Sequence, residues 1–376
     1  MRITKLDGLR GIFSLMVVIY HYPIQFVPDY FHDFFLIGRS YLFVDFFFVL
    51  SGFVISLNYH NLINTRTELM SFIQKRFIRL YPLLLYSTLL FFAMQLGVKV
   101  LDPQLAANKD SFLPSVMDTL DTLLFLNSTP VINDSAGMNY PSWSISAEMI
   151  AYIFFGLISL WTIGKRQYMV MATSIVVGMI FLVWVDQSGI TTNYNFVRGI
   201  LSFNIGYFVY HLRNERFQFG RWTEGLVFLG LLGVLYLSDI SATSSLSAFI
   251  DSCLIPLFFG TAIFVIIHSD GFVSRSMDSR TAQYLGKISY SIYLNHAIVL
   301  RVVSMGIFSV LKVPQTPIIQ FSVCALIVAI VIVYSHFTYK IVEVAGGRLL
   351  KRILSGRHPV AVPVTVNNPV NTNGRA

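Results

Sequence analysis

Ten apolar blocks, each near the ~20 residues that a helix needs to cross a bilayer, constrain this chain more than any other feature. They run roughly 9–27, 41–59, 80–97, 142–163, 168–185, 196–212, 222–238, 247–268, 284–306 and 317–338. In lipid a backbone must satisfy its own hydrogen bonds, and a helix does so within each segment. Of the 376 residues 55% are hydrophobic and only 12% charged, about half the share typical of soluble domains. That is too little charge to wet a globule of this size. The expected fold class is all-α, a polytopic membrane protein with about ten transmembrane helices. The first block follows Arg2, Lys5 and Arg10 as a signal peptide would. It lacks a small-residue cleavage site and nine more blocks follow it, so it reads as a retained helix.

The placement of positive charge sets the expected orientation. With the N-terminus inside, all but Arg39, Lys99, Lys109, Arg198, Arg301 and Lys312 of the 27 lysines and arginines fall in cytoplasmic segments. N-in and C-in is therefore the expected topology, and the net charge of +8 reflects it rather than a nucleic-acid partner. Cys253 and Cys324 sit inside apolar blocks, so neither a disulfide framework nor a metal site is expected. Phosphate-loop, HExxH and GxSxG patterns are missing, which argues against P-loop ATPases, zincins and α/β-hydrolases. Most loops are short. The exception, 98–141 on the outer face, contains four prolines and an amphipathic stretch near 115–126. Two units are expected: a transmembrane domain over 1–345, and a tail over 346–376 that is basic at first, then rich in Pro and Asn and disordered.

Ionisable groups inside a membrane are costly and mark function by default. Arg10 and His21 stand eleven residues apart in the first block. That returns them to within ~20° of one helix face and separates them by ~16 Å along the axis. A phosphate-bearing head held at Arg10 and a long arm reaching toward His21 would fit this spacing. Arg76 and Arg79 share a face at i,i+3, and paired guanidiniums bind phosphate oxygens bidentately; a basic flank before a membrane helix has the same pattern. Glu148 lies about two turns into the fourth block, too deep for a free interfacial charge, and either binds an acceptor hydroxyl or pairs with an arginine. Asp45 is placed to pair with Arg198 or Arg301. Tyr290, Tyr293 and His296 follow one another at three-residue steps on one face. Helix–helix hydrogen bonding accounts for the two tyrosines.

Five stretches in a fixed order give these residues a context: LDGLRGIFSLMVVIYH (6–21), FFFVLSGFVIS (46–56), RFIRLYPL (76–83), PSWSISAEM (141–149) and LGKISYSIYLNHA (285–297). Together they resemble the acyltransferase-3 family of integral membrane O-acyltransferases, over about residues 4 to 345. The R-x10-H spacing is met by Arg10 and His21, and the R-x-x-R pattern by Arg76 and Arg79. Ser146 and Glu148 match the family's W-S-x-x-x-E segment. After Tyr339, Glu343 is kept but the proline that often follows it is absent, which leaves its role open. Some relatives carry a fused SGNH-type esterase domain, for which too few residues follow here.

The resemblance implies an O-acyltransferase, most simply an acetyltransferase. It would take acyl-CoA (acetyl-CoA) as cytoplasmic co-substrate and act without a metal on a hydroxyl of a cell-surface or envelope glycan, in a bacterial inner membrane. A separate periplasmic acyl-carrying partner is a further expectation. His21 and Glu148 are the catalytic candidates, and Arg10, Arg76 and Arg79 the donor-binding ones. Asp45, Ser146, Tyr290, Tyr293 and His296 are the candidates for substrate contact. His21 would act either as general base or as an acylated nucleophile. The competing class is a transporter or flippase of a sugar-like solute, which would move solute without consuming acyl-CoA.

Overall fold

A computed structural model describes residues 3–354 apart from 102–111, 133–134, 163, 188–193, 215–216, 218 and 243. The expected tail beyond Leu354 lies outside the described residues. Among them there is no strand; the chain is an all-α polytopic membrane protein. Twelve helices carry the architecture: α1 (Thr4–Tyr20), α2 (Phe43–Tyr59), α3 (Arg66–Leu101), α4 (Phe112–Leu123), α5 (Trp143–Trp161), α6 (Lys165–Gln187), α7 (Asn195–Leu212), α8 (Thr223–Ile240), α9 (Ile255–Ile267), α10 (Arg280–Ser304), α11 (Pro317–Thr338) and α12 (Ala345–Leu354).

Eight segments are long and apolar enough to span a membrane, and they coincide with eight of the ten expected blocks. The other two blocks form α1 and α7, which are helical but shorter or more polar. The reason is their position. α1 packs along α10, and α7 against α2, α5, α6 and α9, so both are sheltered from lipid and tolerate Asp7, Arg10, Arg198 and Asn204. The periphery is the reverse. α6 exposes Val176, Val177, Ile180 and Trp184, and α8 exposes Leu226, Leu229 and Leu237, an apolar surface that only a bilayer would cover.

Three boundaries differ from the sequence reading. α3 starts at Arg66 rather than near residue 80 and runs 36 residues, ~54 Å at 1.5 Å per residue. Lys75, Arg76 and Arg79 therefore belong to the same rod as the span they were expected to flank. The amphipathic stretch of the long loop forms α4. At the other end, α11 passes through a π-helical turn, Tyr339–Val344, into α12, so the basic residues Arg348, Lys351 and Arg352 continue a helix instead of opening a tail.

Close backbone contact fixes the two central helix pairs. A Cβ on Gly286 would fall 2.0 Å from the Asp7 carbonyl oxygen, and one on Gly52 would fall 1.8 Å from that of Phe203. Only glycine lets α1 lie against α10 and α2 against α7 at these separations.

Candidate active site

The tight α1–α10 contact holds Arg10 by its guanidinium. Nε donates to Ser289 Oγ (2.9 Å), Nη2 to the Gly286 carbonyl (2.6 Å), and Asp7 lies 3.3 Å away. Arg10 opens onto a cavity of about 270 Å³ between α1, α2, α3, α5 and α10, whose lining also includes Arg76, Arg79, Glu148, Tyr290 and Tyr293. One turn after Arg76 on α3, Arg79 is ion-paired and hydrogen-bonded to Glu343 and sits over the Tyr290 ring at 5.3 Å. The π-helical turn adds a residue to the helical repeat, and Glu343 lies buried within it, with its second oxygen accepting from Ser291 (2.8 Å). The acid whose role the missing proline left open therefore braces Arg79, a cavity-lining residue, from behind.

Arg76 differs from its two neighbours. Its Nη2 donates to Tyr59 Oη (3.0 Å), and its guanidinium lies among the rings of Tyr59, Phe72 and Tyr152. Its Nε is buried and has no partner among the described residues. A buried guanidinium N–H without an acceptor is costly, and a phosphate oxygen would remove that cost.

Glu148 faces the same cavity from α5. It accepts from Ser51 (2.7 Å) and from Tyr152, and these two hydroxyls lie 2.8 Å apart. Both of these partners are hydroxyls of the protein itself rather than an arginine. Tyr290 donates to the Leu80 carbonyl (2.7 Å), which ties α10 to α3. Tyr293 accepts from Ser144 (2.8 Å), which ties α10 to α5 at the other end of the cavity.

Three expected substrate contacts, Asp45, Ser146 and His296, lie outside the cavity lining. Asp45 is fully buried and takes three hydrogen bonds from Arg198 (2.6–3.1 Å) and one from Ser202 (3.0 Å). Of its two expected partners, the structure brings Arg198 to it, and no acceptor capacity is left for a substrate. Ser146 bonds Ser128 (2.8 Å) and donates to the Phe125 carbonyl (2.6 Å), pinning the long loop onto α5 outside the cavity wall.

His21 caps the C-terminal end of α1, and its Nδ1 lies 2.9 Å from the Val17 carbonyl. A carbonyl only accepts, so Nδ1 carries the proton and Nε2 of the neutral ring presents a lone pair. The ring is packed by Tyr20 (4.8 Å), Tyr140 (4.9 Å) and His296 (5.0 Å, centroid to centroid). His296 is fully buried, with its own Nδ1 2.6 Å from the Tyr293 carbonyl. Through it the contacts run from His21 by way of Tyr293 to the cavity.

Ser51, Tyr152, Ser289 and Tyr140 were not singled out from the sequence, although each had a signal. Ser51, Ser289 and Tyr140 lie in or beside the ordered stretches, and Tyr152 is one helical turn from Glu148 on the same face.

A family model described as an acyltransferase domain matches residues 3–336 of the chain. The chain is also 30% identical over 196 residues to "Protein 2 in picA locus" of Rhizobium radiobacter, an alignment that covers 48% of this chain and 94% of that protein. No solved structure matches it.

Proposed function

The chain belongs to the acyltransferase-3 family and is a multi-pass membrane acyltransferase; from that premise we propose that it moves an acyl group, acetyl in the simplest case, from cytoplasmic acyl-CoA to a hydroxyl of a cell-envelope glycan. The membrane is taken to be a bacterial inner membrane with both termini inside, in keeping with the charge distribution and with the source of the relative. One observation carries the reading: a cavity lined by Arg10, Arg76 and Arg79 at one end is linked by ring contacts at the other to a histidine with a free lone pair.

The residues divide the work. Arg10 and Arg79 are already held by Asp7 and Glu343, so they shape the mouth and lend positive potential to it. Arg76, with an unmet donor, is the guanidinium that gains most from a phosphate oxygen. The aromatic and aliphatic wall of α2 and α10 suits an apolar arm. His21 takes the proton of the incoming hydroxyl at Nε2 while the alcohol oxygen attacks the thioester carbonyl. The acyl–sulfur bond breaks, the acyl–oxygen bond forms, and the thiolate recovers a proton.

The test is purified protein in liposomes supplied with acetyl-CoA labelled in the acetyl group and a mixture of envelope polysaccharides. Label should enter the polysaccharide with wild type, and His21→Ala should lower the rate by about 10²–10⁴-fold, the span of general-base catalysis. Full transfer by His21→Ala would refute the assignment. Solute movement without loss of acetyl-CoA would indicate a transporter instead.

A further inference from the structure

His296 has an unmet need that the reaction above does not yet use. It is fully buried, its Nδ1 is committed to the Tyr293 carbonyl at 2.6 Å, and its Nε2 is buried without a partner among the described residues. Because Nδ1 faces an acceptor, the neutral ring presents only a lone pair at Nε2. A buried acceptor left empty is costly, so the position calls for a donor, and the groups around it are informative. The His21 ring lies 5.0 Å away, inclined by 36°, and Tyr140 closes the other side at 5.9 Å. His21 in its resting tautomer offers a second lone pair and no proton. Two neighbouring imidazoles that each lack a proton at Nε2 can be joined by a proton that one of them acquires.

The reaction delivers that proton. When His21 accepts it from the acceptor hydroxyl, the ring becomes an imidazolium with an N–H at Nε2, the donor that His296 lacks. The proton must also end on the thiolate, which is released on the cavity side of the pair. His296 stands on that side: its ring is 5.9 Å from the Tyr293 ring, and Tyr293 lines the cavity. We propose that His296 is a second proton carrier, which receives at Nε2 the proton that His21 takes from the acceptor and hands it to the departing thiolate. The proposal rests on His21 acting as the base. The protons balance: one leaves the alcohol, passes from His21 to His296 to sulfur, and both rings return to their starting tautomers.

A leaving group that needs no proton separates this role from a structural one. Acetyl-seleno-CoA keeps the phosphates and the arm of acetyl-CoA, but its selenol is a much stronger acid than the thiol and departs unprotonated. In the liposome assay, His296→Gln should lower transfer from acetyl-CoA by about 10²-fold and transfer from acetyl-seleno-CoA by less than about threefold, the difference being a lost general acid. A His296→Gln protein with wild-type melting temperature that loses both donors equally, or that keeps acetyl-CoA transfer, would overturn the proposal. The unmutated protein provides a test independent of any variant's folding. Its solvent deuterium isotope effect on acetyl-CoA transfer should shrink with the seleno donor, and an equal effect with both would overturn the relay. His21→Ala should lower transfer from either donor by about 10²–10⁴-fold; if it does not, the reading of His21 fails, whatever His296 does.

Discussion

Two buried arginine–carboxylate assemblies in this bundle are built to different degrees of completion. In the first, Arg198 grips Asp45 with three hydrogen bonds, Ser202 adds a fourth, and the two side chains are 16% and 0% exposed. In the second, Glu343 is 4% exposed but its partner Arg79 is 43% exposed, and Arg76 nearby keeps a buried Nε with nothing to donate to among the described residues. Both need low dielectric and close packing. The first has satisfied itself and binds α2 to α7. The second is open toward a cavity and lacks one acceptor. A closed pair holds a fold together; an unfinished one is where a ligand gains by arriving.

The largest effect that would sharpen this contrast belongs to the closed pair. Asp45→Ala leaves Arg198 buried without its carboxylate and should cost about 3–5 kcal/mol, the penalty for breaking a buried pair from one side. The expected result is loss of monodisperse protein on size exclusion, or a melting temperature many degrees lower. Near-wild-type melting would contradict the structural reading of Asp45. The next effect is on binding. Arg76→Ala should melt close to wild type yet weaken acetyl-CoA by about 10-fold, the low end of what one charge-assisted hydrogen bond of ~1.5–3 kcal/mol contributes, seen as a raised KM. A variant that melts much lower and saturates normally would place Arg76 with the closed pair. Glu343→Gln should cost only about 1 kcal/mol, because Arg79 is partly open to solvent and solvent screens the pair. A loss as large as that of Asp45→Ala would erase the distinction between the two assemblies.

The smallest expected effect lies outside the spans, on α4. Asp121 is fully buried, neither carboxylate oxygen has a partner among the described residues, and burial together with Asp118 raises its pKa to about 6. A carboxyl raised above its unfolded value holds its proton more tightly when folded, so its contribution favours the folded state at low pH. That contribution is lost as pH rises from about 4 through about 6. Asp121→Asn should therefore raise the melting temperature by a few degrees at pH 7.5 and by well under half as much at pH 4.5. Equal shifts at both pH values would contradict the titration.

Much of this was legible in the chain as a string. Hydropathy placed ten blocks, eight of which are long apolar helices in the structure, and the ordered motifs held Arg10, Ser289 and His296, although not the pairing of α1 with α10. What the string hid were facts of packing. Arg76 and Arg79 are equivalent by spacing, and only the approach of Glu343 makes one of them satisfied and the other not. The inward placement of Glu343 depends on a π-helical turn, which no hydrophobic period announces. Ser146 and Glu148 are two residues apart, hence ~200° around a helix. They could not share a cavity, and the structure assigns Ser146 to the loop and Glu148 to the cavity. α1 and α7 fall short of a simple span because helices shielded by others need not be uniformly apolar.

The most direct test is donor binding, measured apart from transfer. Wild type, Arg76→Ala and His21→Ala in lipid nanodiscs would be titrated with CoA, with binding followed by calorimetry. Wild type should bind saturably, Arg76→Ala with a Kd weakened by about 10-fold, and His21→Ala with an unchanged Kd, since His21 acts on the acyl group and not on the phosphates. Indistinguishable binding by wild type and Arg76→Ala would contradict the claim that this cavity receives the acyl donor.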